Sequence, residues 1–252
     1  METLTIGKKV AAPNTAAVKR QRERLFYTGM AVAFVLVVFA GFARTYYLRP
    51  FYFTQTLTPL LHLHGLLFSS WLVLLLAQTL LVATKRTHLH RRLGLAGALL
   101  AVLMVLVGTW TALVRAKSFE VPPDIPSPLV FLTIPLGDML IFTLLVGAAF
   151  YYRARADVHK RLMLLATIAI LPAAVGRFPF DFFLQGGPLI FFGIPDLFIL
   201  AILIYDLFTN GRPHRATVLG GLLVVVSHPL RLPVGNMQAW LSFATWLTDL
   251  VG

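Results

Sequence analysis

Residues 59–94 read PLLHLHGLLFSSWLVLLLAQTLLVATKRTHLHRRLG. Inside this stretch, residues 65–83 carry no charged side chain. At 1.5 Å per residue such a run crosses the ~30 Å hydrocarbon core of a bilayer as a helix. One end holds His62 and His64, and the other holds Lys85, Arg86, His88, His90, Arg91 and Arg92. The rest of the chain follows the same plan.

The 252 residues are 58% hydrophobic and 13% charged, with a mean hydropathy of +0.80. Soluble domains carry roughly 25% charged residues, so this chain lacks the polar surface for a soluble fold. Long uninterrupted apolar runs point to helices rather than to the short alternating strands of a β-barrel. The net charge of +12 does not mark a nucleic-acid binder, because the lysines and arginines lie between apolar runs, where membrane topology places them. The chain has no cysteine, which excludes disulfides, thiolate metal sites and cysteine nucleophiles.

Seven spans are expected, at 25–43, 59–83, 93–114, 129–152, 160–177, 189–208 and 216–230. Residues 1–24 form a basic tail before a membrane bundle at 25–235. Residues 236–252 (NMQAWLSFATWLTDLVG) read as a short interfacial amphipathic helix. Sixteen of the 22 lysines and arginines fall in the tail and in the loops after spans two, four and six. Because cytoplasmic loops carry the basic excess, the N-terminus is expected inside and the C-terminus outside. The fold class is therefore all-α, a polytopic helix bundle of about seven spans.

An internal repeat is visible. His64 in HGLLF, Asp138 in DMLIF and Asp196 in DLFIL stand in the outer part of three inward-running helices. Each helix then leads to a basic turn, read as LHRRLGLAG at His90, VHKRLMLLA at His159 and PHRATVLGG at His214. One leading helix plus three repeated helical hairpins accounts for this order.

Chemistry is expected at both ends. Asp138 lies about 14 Å and Asp196 about 11 Å below the outer end of its helix. A lone carboxylate facing lipid costs ~2.5–3.5 kcal/mol, so both should face a partner in the interior. His62, His64, Asp138, Asp196 and His228 are the donor set for a divalent metal such as Zn, Fe or Mn, or for haem. His62 and His64 are about 200° apart on a regular helix, so a shared metal requires a distorted turn. The alternative is an ion pair between Asp138 and Arg177, with Asp181 beside it and the histidines bonded to carbonyls. At the inner end, His88, His90, Arg91, Arg92, His159, Lys160, Arg161 and His214 suit a phosphate or lipid headgroup, although topology alone would also place them there. Tyr205 and Asp206, near the inner end of span six, fit either a polar gate or, as a bundle of this kind more often has, a solvated helix end. Phosphate loops, HExxH and a Ser-His-Asp order are missing, and the seventh span has no lysine for a retinal Schiff base.

The segments HRRLGLAGALLAVLMVLVG and HKRLMLLATIAILPAAVGR resemble the signature segments of a bacterial family of uncharacterised multi-pass membrane proteins. The resemblance implies a bacterial inner-membrane protein of this length and helix number. The HRRLG and HKRLM turns also resemble those of small membrane proteins implicated in cytochrome oxidase assembly. Those proteins have fewer helices and carry several histidines at helix ends. The leading reading, from the His and Asp residues above, is a buried site toward the outer face that binds a metal or haem for membrane redox chemistry or respiratory assembly. Two further functions fit the residues: a proton-coupled transporter using Asp138, Asp196 and Arg177, and a metal-dependent lipid hydrolase.

Overall fold

Thr58 starts the helix that carries the diagnostic stretch. Its hydroxyl accepts from the Leu61 N–H at 3.4 Å, and Pro59 occupies the first helical position, where its missing N–H is harmless. In the computed structural model, which describes residues 15–117, 126–180, 182 and 186–251, this helix is the second of the chain. Asp181 and the loop prolines Pro122 and Pro123 lie outside the described residues.

The helices in order are α1 (Thr15–Phe42), α2 (Pro59–Ala83), α3 (Thr87–Ala116), the short α4 (Pro128–Phe131), α5 (Thr133–Tyr151), α6 (Ala156–Ala169), the short α7 (Pro172–Val175), α8 (Gly187–Asn210), α9 (Arg215–Gly235) and α10 (Gln238–Asp249). There is no strand among the described residues. Among the described residues, seven helical segments are long and apolar enough to cross a membrane; α4 with α5 and α6 with α7 each form one of them. The molecule is thus an all-α integral membrane bundle, and its seven spans match the expected seven.

Boundaries moved where charge did not stop a helix. α1 begins at Thr15, within the basic tail, and α3 begins at Thr87, so the HLHRR turn is already helical. Lys85, at φ 64°, makes the tight reversal between α2 and α3.

The three expected hairpins are present as the packed pairs α2 with α3, α5 with α6 and α8 with α9. α6 is the central helix. Its residues 164–169 are all buried, and α1, α5, α8 and α9 pack around it. Trp71 on α2 donates to the Thr167 hydroxyl at 3.1 Å inside this core. Glycines set the closest approaches. A Cβ on Gly220 would lie 2.7 Å from Leu165, and one on Gly221 would lie 2.7 Å from Ile199. α10 lies against α3 and α4 at the end away from the basic turns, held by Ala244, Thr248 and a bond from Trp240 to the Leu129 carbonyl at 2.8 Å. Large apolar side chains such as Leu95, Leu189 and Phe208 point outward, as a lipid-facing exterior requires.

Candidate functional site

Two buried polar clusters occupy opposite ends of the bundle, and α8 and α9 contribute to both. The first lies at the end away from the basic turns. Ser227, His228 and Arg231 share one face of α9 by their spacing of three and four residues. Arg231 Nη1 donates to Asp138 on α5 at 2.5 Å and to the Ile134 carbonyl at 2.7 Å. Both charged side chains are buried, at 4% and 7% exposure. Gly137 leaves the guanidinium its room, since a Cβ there would sit 3.3 Å from Arg231.

His228 Nδ1 donates to Asp196 Oδ2 at 3.3 Å, and its ring stacks on Phe192 at 4.3 Å. Arg231 also lies over the Phe192 ring, with its guanidinium 5.4 Å from the centroid. Three polar atoms here are buried with no hydrogen-bond partner among the described residues: His228 Nε2, Asp196 Oδ1 and Arg231 Nε. Pro195, next to Asp196, and Pro229, next to His228, each remove a helical N–H, which frees the carbonyls of Phe191 and Val225.

The expected donor set is therefore only partly assembled. Asp196 and His228 are in contact, and Asp138 stands beside them bonded to Arg231. His64 stacks on Phe68 of its own helix at 4.2 Å, and His62 is exposed near Tyr46. Among the described residues, no group of three or more His, Asp or Glu side chains is arranged to hold a metal. The alternative ion pair also changes partner. Arg177 donates to the Ala173 carbonyl at 2.5 Å and lies over Phe42, while Arg231 takes Asp138. Sequence reasoning misses Arg231 because the apolar run of the seventh span ends at residue 230, before the charge. The signal that could have found it is the His228-to-Arg231 spacing, which places both on one helix face.

The second cluster lies at the basic end. Asp206 on α8 is fully buried and accepts four donors. Arg161 on α6 reaches it through Nε at 3.1 Å and through Nη2, Thr217 through its hydroxyl at 2.6 Å, and His214 through its backbone N–H at 3.1 Å. This corrects the reading of Asp206 as a solvated helix end: with its partners on α6 and α9, the carboxylate is enclosed. It also takes Arg161 out of the headgroup set, because a guanidinium 3% exposed and committed to Asp206 does not reach lipid. His214 caps α9 by accepting from the Ala216 N–H through Nδ1 at 3.1 Å. Its Nε2 therefore carries the proton and donates to Asp157 at 3.0 Å. Lys160 pairs with Glu23 of α1 and lies over the Tyr27 ring at 4.9 Å.

The two related turns meet. His90 and His159 approach edge to face with ring centroids 6.4 Å apart, and His159 Nδ1 donates to the Ala149 carbonyl at 2.8 Å. His88, Arg91 and Arg92 are exposed on the outside of the first turn.

Compared with protein-family models, with curated proteins and with solved structures, the chain matches none. The chemistry of these two clusters is thus what the function must be argued from.

Proposed function

We propose that this protein is a proton-coupled carrier for small organic anions, with Asp138, Arg231, Asp196 and His228 as its working residues. The observation that supports the reading is the buried acid–base cluster at each end of the α8/α9 hairpin, with an apolar layer between them. Asp196 and Asp206 are ten residues apart on α8, about 15 Å. Ile199, Ile202 and Val224, all fully or nearly fully buried, fill the interval. Ionisable residues inside a membrane bundle mark ion and proton paths by default, because a structural role is filled more cheaply by apolar packing.

The coupling follows from charge. Arg231 is held by ionised Asp138. A proton on Asp138 removes the negative charge, and a carboxylate solute then takes its place on the guanidinium. One proton travels with one negative charge, so the step is electroneutral. The Asp196–His228 pair delivers or receives the proton, with the open Nε2 of His228 as the exchanging atom. At the other end, the Arg161–Asp206 pair closes the path while the outer cluster is open.

The test is uptake by proteoliposomes of purified protein, using radiolabelled lactate, succinate and inorganic phosphate under an imposed pH gradient. One probe is expected to accumulate in the lumen with wild-type protein when the lumen is alkaline relative to the outside. Arg231→Gln should abolish uptake, whereas Asp138→Asn should leave exchange that no longer responds to the gradient. No accumulation of any probe, or the same pH dependence in Asp138→Asn, overturns the carrier.

A second reading rests on the open Nε2 of His228 and Oδ1 of Asp196, two donor atoms in one buried place. They suit a Zn, Fe or Mn ion, or a haem, in membrane redox chemistry or respiratory assembly. Stoichiometric metal or a visible haem band in purified protein, lost in both Asp196→Asn and His228→Ala, would replace the carrier by this site.

A further inference from the structure

The two related basic turns use their charges differently. In the second, Lys160 pairs with Glu23 and Arg161 with Asp206. The first has no acidic residue between Thr84 and Gly94, and Arg91 and Arg92 are exposed with no carboxylate partner among the described residues. From Arg92 an open groove of ≈ 620 Å³ runs along the outward face of α3, lined by Leu95, Ala96, Ala98, Leu99 and Val102. The alanines leave a trough beside the larger side chains. Leu95, Leu99 and Val102 are 78%, 62% and 55% exposed, so no helix of the bundle covers them.

The dimensions match one leaflet. From Arg92 to Val102 the helix rises about 15 Å, half of the ~30 Å hydrocarbon core. A cation at the mouth of an apolar trough of that length complements a molecule with a negative head and a single-leaflet tail. We propose that this groove seats an anionic phospholipid, with its phosphate on Arg92 and one acyl chain along Leu95, Leu99 and Val102.

The test uses full-length protein in nanodiscs or mild detergent, with phosphatidylglycerol and phosphatidylcholine of identical chains as probes. Native mass spectrometry reads the bound lipid, and a thermal unfolding curve for each variant establishes that it is folded. Wild-type protein should retain phosphatidylglycerol in preference to phosphatidylcholine. Arg92→Gln should lower that preference by at least roughly tenfold, the loss of a hydrogen bond to a charged headgroup. Ala98→Phe keeps the charge but fills the trough, and should lower retention of phosphatidylglycerol as well. Arg86→Gln removes an equal charge outside the groove and should lower retention by no more than the roughly fivefold of diffuse attraction. Equal retention of the two lipids, or no effect of Arg92→Gln, overturns the proposal. So does an equal effect of Arg86→Gln, which means diffuse attraction, or no effect of Ala98→Phe, which means a head without a seated tail.

Discussion

Among the described residues, Arg231 and Arg161 are the two buried arginines, and each is buried with its carboxylate. A buried ion pair adds little to stability as a whole, because desolvation offsets the attraction, but half of one is expensive. Asp206→Asn leaves the Arg161 guanidinium buried without its charge partner, so it should destabilise the bundle by about 3–5 kcal/mol. Reversible unfolding in mixed micelles measures this. The double variant Arg161→Met with Asp206→Leu should recover most of the loss, since it removes both desolvated charges at once. A double variant as unstable as Asp206→Asn would mean that the pair is not the source. At this scale the sequence was half legible. Asp138, Asp196 and His228 stood out as ionisable groups within apolar runs, because charge in such runs needs a partner. Their partners did not stand out. Arg231 and Arg177 are equally plausible mates for Asp138 along the chain, and only the packing of α9 on α5 puts Arg231 next to it. The burial of Asp206 is likewise a fact of three helices meeting, and nothing local to Tyr205 or Asp206 signals it.

The helices of this bundle are apolar on the outside as well as the inside, so apolar burial alone cannot decide how they pair. Close packing and a few internal polar bonds take over that role. The glycines of α9 are where this is sharpest. Gly220 faces Leu165, itself fully buried, with Leu145 and Leu162 within 3.4 Å of a hypothetical Cβ. Gly220→Ala should therefore destabilise by about 1–3 kcal/mol through overpacking. Gly94→Ala meets only the Gln78 amide at 3.8 Å, an ordinary contact, and should stabilise by roughly 0.5–1 kcal/mol from helix propensity. Thermal unfolding of the two variants checks the opposite signs, and two shifts of the same sign would refute the packing argument. The existence of seven spans was legible because uninterrupted apolar length has no other outlet. The breaks inside them were less so. Leu132 separates α4 from α5, and the fifth span breaks at Ile170 and Leu171, before Pro172. A proline bends a helix by its own missing N–H, but where the chain resumes depends on its neighbours.

At the scale of the whole molecule, the charge distribution sets a direction. Among the described residues, 14 of the 20 lysines and arginines belong to the end where α1 starts, α2 turns into α3, α5 turns into α6 and α8 turns into α9. The other end carries six, and two of those, Arg231 and Arg177, are committed to Asp138 and to the Ala173 carbonyl. Basic residues resist translocation across an energised membrane, so the end that holds them is expected in the cytoplasm, with α10 on the far side. The absence of cysteine makes the expectation easy to check, since each introduced thiol is the only one present. Thr87 and Ala156 are exposed at the basic end, and Thr56 is exposed in the connection between α1 and α2 at the other. Thr87→Cys and Ala156→Cys should react with a membrane-impermeant maleimide only when the cytoplasmic face is accessible, and Thr56→Cys only from outside. The pattern as a whole carries the argument: agreement between Thr87→Cys and Ala156→Cys tests that α3 and α6 begin on one side, and the contrast with Thr56→Cys tests that α2 crosses between them. Labelling of Thr56→Cys from the cytoplasm would invert the orientation and move the Asp138–Arg231 cluster to the inner half of the membrane. The carrier would then load its anion from the cytoplasm instead of from outside.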